Sequence, residues 1–146
     1  MSSQLRAFGP GEAGAVGGPR QRSLMVWQVL SAVFLLAMGG IHLYLALTSV
    51  TGVLGVLFIL NAVGALVLAI AMVVLRGRLL LLASVLSVLF IAGTLLALVL
   101  ALTVGLFGIG ETLDGQLVTT ALIVESIGVV VLLVTIALLV RPRRAA

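Results

Sequence analysis

Four long apolar runs, none broken by a cluster of turn-forming residues, govern what this chain can become: Leu24–Thr48, Val53–Leu75, Leu79–Phe107 and Leu117–Val140. Each reaches the roughly 20 residues that a helix needs to cross ~30 Å of hydrocarbon. Strands of a membrane barrel would alternate polar and apolar over about ten residues, and these runs do not alternate. Inside lipid each span has to satisfy its own backbone hydrogen bonds, so the runs predict transmembrane helices. The expected fold is an all-α membrane protein, a bundle of four helices. The third run is the longest, which predicts tilt or an extra turn at its end.

Composition agrees with that reading. Of 146 residues, 63% are hydrophobic and 8% charged, where a soluble domain carries about a quarter charged. The spans use most of the chain, so no separate soluble module fits beside them. The expected division is a tail over 1–22, rich in Gly, Pro, Ser, Gln and Arg, a transmembrane domain over 23–141, and a short basic tail over 142–146. The first run is too long for the h-region of a signal peptide and ends without a small-x-small cleavage pattern, so we expect it to be retained.

Short breaks set the topology. Thr48–Gly52 joins spans one and two, Arg76–Arg78 joins two and three, and Gly108–Gln116 joins three and four. Consecutive spans are then antiparallel, which predicts an up-down-up-down bundle. On this scheme Arg6, Arg20, Arg22, Arg76, Arg78, Arg141, Arg143 and Arg144 all fall on one side, and Glu111 and Asp114 fall on the other. Basic residues mark the cytoplasmic side, so both termini are expected in the cytoplasm and the protein in the plasma membrane. The all-arginine basic set and the bias to Gly, Ala, Val and Leu suggest a bacterial, GC-rich source. Although the net charge is +4, the arginines flank spans without interleaved aromatics, which excludes nucleic acid as a partner.

Only His42 and Glu125 are ionisable and well inside the runs, and an ionisable group in the membrane is a candidate functional group by default. At about 1.5 Å per residue, His42 lies ~9 Å below Thr48, Glu125 ~12 Å below Leu117 and Asn61 ~12 Å below Val53. Three polar side chains thus share one level of the outer half. If the first and last spans adjoin, His42 and Glu125 meet directly, with Asn61 or Tyr44 completing their hydrogen bonds, and Thr94 joins from nearer mid-membrane. Small-residue stripes support this facing: Asn61, Ala65 and Ala69; Ala121, Glu125 and Gly128; and Ser84, Ser87, Thr94, Ala97 and Ala101. Two readings stay open. Glu125 binds and releases a proton or cation with His42 or Asn61 tuning it, or the three residues form a polar clasp that holds the helices together.

Other chemistries find little support. With no cysteine, disulfide exchange and thiolate chemistry are excluded. One His and one Glu fall short of a metal site within one chain. A haem held by His42 with Met38 or Met72 ranks below the packing role of those methionines. No phosphate loop or catalytic triad is present, so no cofactor is expected and the chain is not expected to be an enzyme. Glu111 and Asp114 read as solvated loop carboxylates, and Trp27 and Tyr44 as interfacial anchors. The leading expectation is an accessory or scaffold subunit of a bacterial plasma-membrane assembly, its partners the lipid bilayer and either another membrane protein or copies of itself. The alternative is a proton-coupled small transporter or ligand-binding membrane protein that uses Glu125 and His42.

Gly39-Gly-Ile-His-Leu-Tyr-Leu, followed by Gly55-Val-Leu-Phe-Ile-Leu-Asn-Ala-Val-Gly, resembles small uncharacterised four-span integral membrane proteins of actinobacteria. The resemblance covers spans one and two and implies topology and source rather than an activity.

Overall fold

The computed structural model describes residues 18–105 and 112–141. Four helices account for nearly all of them: α1 Pro19–Thr48, α2 Gly52–Val74, α3 Gly77–Thr103 and α4 Val118–Val140. All four are long and apolar enough to cross a membrane. The shortest two, of 23 residues, reach ~34 Å against the ~30 Å of a bilayer core. Among the described residues there is no strand. Arg6, Glu111, Arg143 and Arg144 lie outside the described residues.

α1 begins at Pro19, five positions ahead of the first apolar run, so Arg20 and Arg22 stand on its first turns. Proline suits that place because its fixed φ matches the helix and the first turn requires no N–H from it. The breaks are tight. Gly52 and Gly77 open α2 and α3 at φ +67° and +59°, backbone that only glycine adopts freely. Leu117, just before α4, takes φ +62° with a full side chain, at a cost of ~1–2 kcal/mol.

The helices form a ring in which α1 adjoins α2 and α4, and α3 adjoins α4 and, more loosely, α2. Close approach in the absence of a hydrophobic driving force requires small side chains at the seams. A Cβ on Gly39 of α1 would stand 2.8 Å from the Ala65 Cβ of α2, and one on Gly128 of α4 would stand 3.2 Å from Ile91 Cδ1 of α3 and 3.4 Å from Phe34 Cβ of α1. Leu35, Met38, Met72, Leu80, Ile91 and Leu132 fill the interior, while leucines, valines and isoleucines of every helix face outward. An outward apolar surface of that extent matches a lipid surround rather than water.

Polar side chains fasten one end of the ring. The Ser31 and Thr135 hydroxyls, both fully buried, lie 3.0 Å apart across α1 and α4; Ser31 donates to the Trp27 carbonyl at 2.8 Å and so accepts from Thr135. Gln28 donates at 3.1 Å to the Met72 carbonyl in the last turn of α2, one of the four carbonyls a helix terminus leaves unpaired. Arg20 reaches the Leu138 and Arg141 carbonyls at 3.3 and 2.6 Å, and Arg76 the Val73 and Leu75 carbonyls at 2.6 and 2.9 Å. Two arginines therefore sit on the negative ends of α4 and α2, where the helix dipole favours a cation. We call this the arginine end and its opposite, where Ser49, Thr51 and Gln116 lie, the far end.

Candidate functional site

The far half of the ring is hollow. A cavity of about 640 Å³ lies among all four helices, within the size range of sites that hold drug-sized ligands. Its walls are mainly leucine, phenylalanine, alanine and valine, and the polar residues in them are few: His42, Ser49, Asn61, Thr94, Gln116 and Glu125. Four residues singled out by the sequence, His42, Asn61, Thr94 and Glu125, thus face one space. Tyr44, the fifth, does not line it. Tyr44 is exposed and its hydroxyl accepts from Gln116 Nε2 at 3.2 Å, while Gln116 Oε1 accepts from Ser49 at 2.7 Å. That chain of bonds closes the seam between the end of α1 and the start of α4.

Glu125 sits on the interior face of α4 because the spacing Ala121, Glu125, Gly128, Leu132, Thr135 keeps one helix face turned inward, and all five are buried. Only 1% of Glu125 is exposed, and its Oε2 has no hydrogen-bond partner among the described residues. Thr94 flanks the carboxyl, its hydroxyl directed to the Ile91 carbonyl at 2.8 Å and the Met38 sulfur at 3.4 Å. A buried polar atom without a partner costs about 1–3 kcal/mol, more when charged, and Oε2 stands in that position among the described residues.

His42 is anchored by its own helix. Nδ1 lies 2.9 Å from the Met38 carbonyl, and a carbonyl only accepts, so Nδ1 carries the proton. In the neutral ring that leaves Nε2 as an acceptor. Phe58 of α2 meets the imidazole edge-on with ring centroids 4.9 Å apart, which fixes the ring orientation. His42 and Glu125 therefore share a cavity but are not joined through Nδ1 or Oε2. Asn61, half-buried on α2, adds an amide able to donate and accept. Met38 and Met72, weighed above as haem ligands, are fully buried, and Met72 receives the Ser84 hydroxyl at 3.5 Å.

The clasp found at the arginine end was not singled out in the sequence. Gln28, Ser31 and Thr135 carry no charge and pass for neutral interruptions of an apolar run. A signal was present in α4, where the stripe through Glu125 and Gly128 extends two more steps to Thr135. Ser87 is also fully buried, its hydroxyl without a partner among the described residues, and it does not line the cavity.

A four-helix bundle whose helices are all long and apolar enough to cross a membrane, with a mainly apolar cavity that holds a few polar groups, is the class that fold and site define. Comparison with protein-family models, curated proteins and solved structures returns no match.

Proposed function

We propose that this chain is a ligand-binding membrane protein whose site is the far-half cavity, with Glu125 as the principal binding group and His42 and Asn61 beside it. A proton taken up or released at Glu125 couples that binding to transport. The observation that carries the reading is the Glu125 carboxylate, enclosed and left with one oxygen unpartnered beside a cavity of about 640 Å³. Polar groups with no other task are the usual anchors of a ligand site. The clasp alternative loses support because Ser31, Thr135 and Gln28 tie the helices together elsewhere.

The same proposal includes the setting. Short links favour an up-down-up-down bundle, and the arginine end, by the bias of basic residues toward the cytoplasm, is the inner end, with both termini there. The membrane is then a bacterial plasma membrane and the cavity opens in its outer half. The described cavity walls carry hydrogen-bonding groups spread over an apolar surface, an arrangement suited to holding a ligand.

Native mass spectrometry of the protein released gently from its own membrane tests the proposal. The expected result is a small ligand retained by the wild type and lost by Glu125→Gln. A stoichiometric protein partner with an empty cavity in both forms would overturn it in favour of the accessory or scaffold subunit.

A further inference from the structure

The cavity has an opening, and its position limits what can use it. Among the lining residues inside the helices, Leu57 and Leu60 on α2 and Gly93 on α3 are exposed, as are Ser49 and Gln116 at the far end. The three inside the helices flank the loosest neighbour pair of the ring, α2 and α3, whereas the opposite seam is closed by Ser49, Gln116 and Tyr44. Below the opening Phe90 of α3 lies against Gly64 of α2, its Cζ 2.9 Å from where a Cβ would be, and forms a floor. Counting at about 1.5 Å per residue, Leu57 is ~8 Å inside the start of α2 and Gly93 ~15 Å inside the end of α3. At those depths the α2–α3 side of the cavity stands at the level of the hydrocarbon of one leaflet.

The polar wall limits the head group. In its ionised form the Glu125 carboxylate only accepts hydrogen bonds, and His42 with its proton on Nδ1 offers Nε2 as a second acceptor. Among the described residues no arginine lines the cavity, so an anionic head would meet an ionised Glu125 without compensation. A head that donates an N–H or O–H supplies what Oε2 lacks, and an apolar tail fills the leucine- and alanine-lined remainder.

We propose that the cavity takes a single-chain amphiphile with a hydrogen-bond-donating head, loaded sideways from the bilayer between α2 and α3. This rests on the reading of Glu125 as a binding group and adds to it a ligand class and a route.

The test uses the full chain in phosphatidylcholine nanodiscs, titrated with five probes and read by native mass spectrometry: dodecylamine, dodecanol, dodecyltrimethylammonium, dodecanoate and butylamine. The first two are expected to bind, and the last three, lacking a donor, carrying the wrong charge or lacking a tail, to bind about tenfold more weakly or worse. Glu125→Met is expected to weaken dodecylamine by about tenfold or more. Gly93→Phe fills the opening at a position where a Cβ meets nothing within 4 Å, so it should block dodecylamine while leaving the unfolding midpoint unchanged. If that midpoint falls, Gly93→Leu carries the same test.

Dodecyltrimethylammonium, dodecanoate or butylamine binding as tightly as dodecylamine would overturn the ligand class, and unaltered affinity and loading rate in the Gly93 variant would overturn the route. In either case binding that still depends on Glu125 leaves the site reading standing. Probe binding that is wholly indifferent to Glu125→Met sinks both.

Discussion

Glu125 carries opposite consequences for stability under the two roles the sequence allows it. If the carboxyl held the helices together, replacing it would loosen the bundle. Its Oε2 is instead buried without a partner, so Glu125→Met, which keeps most of the volume and removes the unmet acceptor, is expected to stabilise the fold by about 1–3 kcal/mol. The unfolding midpoint in detergent should rise, and a fall would show the carboxyl to be structural. Such a gain at the expense of binding is the usual exchange at functional sites. The depth of the polar residues was legible from the sequence, because the rise per residue is fixed and the ends of the runs are clear. Whether two of them touch was not, since that depends on rotation about each helix axis and on local rivals. For His42 the rival is its own Met38 carbonyl, one turn back, which claims Nδ1 as local backbone acceptors often do.

Among the elements, the α1–α2 seam shows how little room the small residues leave. With Gly39 facing Ala62 and Ala65, a larger side chain has to push two backbones apart. Gly39→Val is therefore expected to destabilise the bundle by about 1–3 kcal/mol, seen as a lower unfolding midpoint. At Gly40, one residue on, a Cβ meets nothing within 4 Å. Gly40→Ala should leave the midpoint unchanged or raise it, by up to about 1 kcal/mol from helix propensity alone. Equal losses at both positions would contradict the packing described. The four helices were readable because hydropathy over twenty residues overwhelms local detail. Their boundaries were less so, as at Pro19, where a polar, arginine-bearing turn continues the helix and uses Arg20 to close the end of α4.

For the molecule as a whole, the proposed orientation has a direct chemical readout because the chain contains no cysteine. Single substitutions Thr51→Cys and Leu113→Cys at the far end should react with a membrane-impermeant maleimide on intact cells, and Arg78→Cys only after permeabilisation. The reverse pattern would turn the protein over in its membrane and place the cavity in the inner leaflet. The cavity itself was not legible in the sequence. It arises from what α2 and α3 do not do, and a gap between two helices leaves no mark on the apolar pattern of either.

The clasp of Gln28, Ser31 and Thr135 and the hollow far half stand at opposite ends of the same four helices. Buried hydrogen bonds between helices gather in one half, and the proposed recognition is placed in the other. Substitution at Leu57, Leu60 or Ala97 changes the shape of the hollow without touching the seams that hold the ring. If the cavity holds the proposed ligand, such an arrangement lets a lineage drift from one guest molecule to another by exchanging a few wall residues, with no intermediate that has lost its fold.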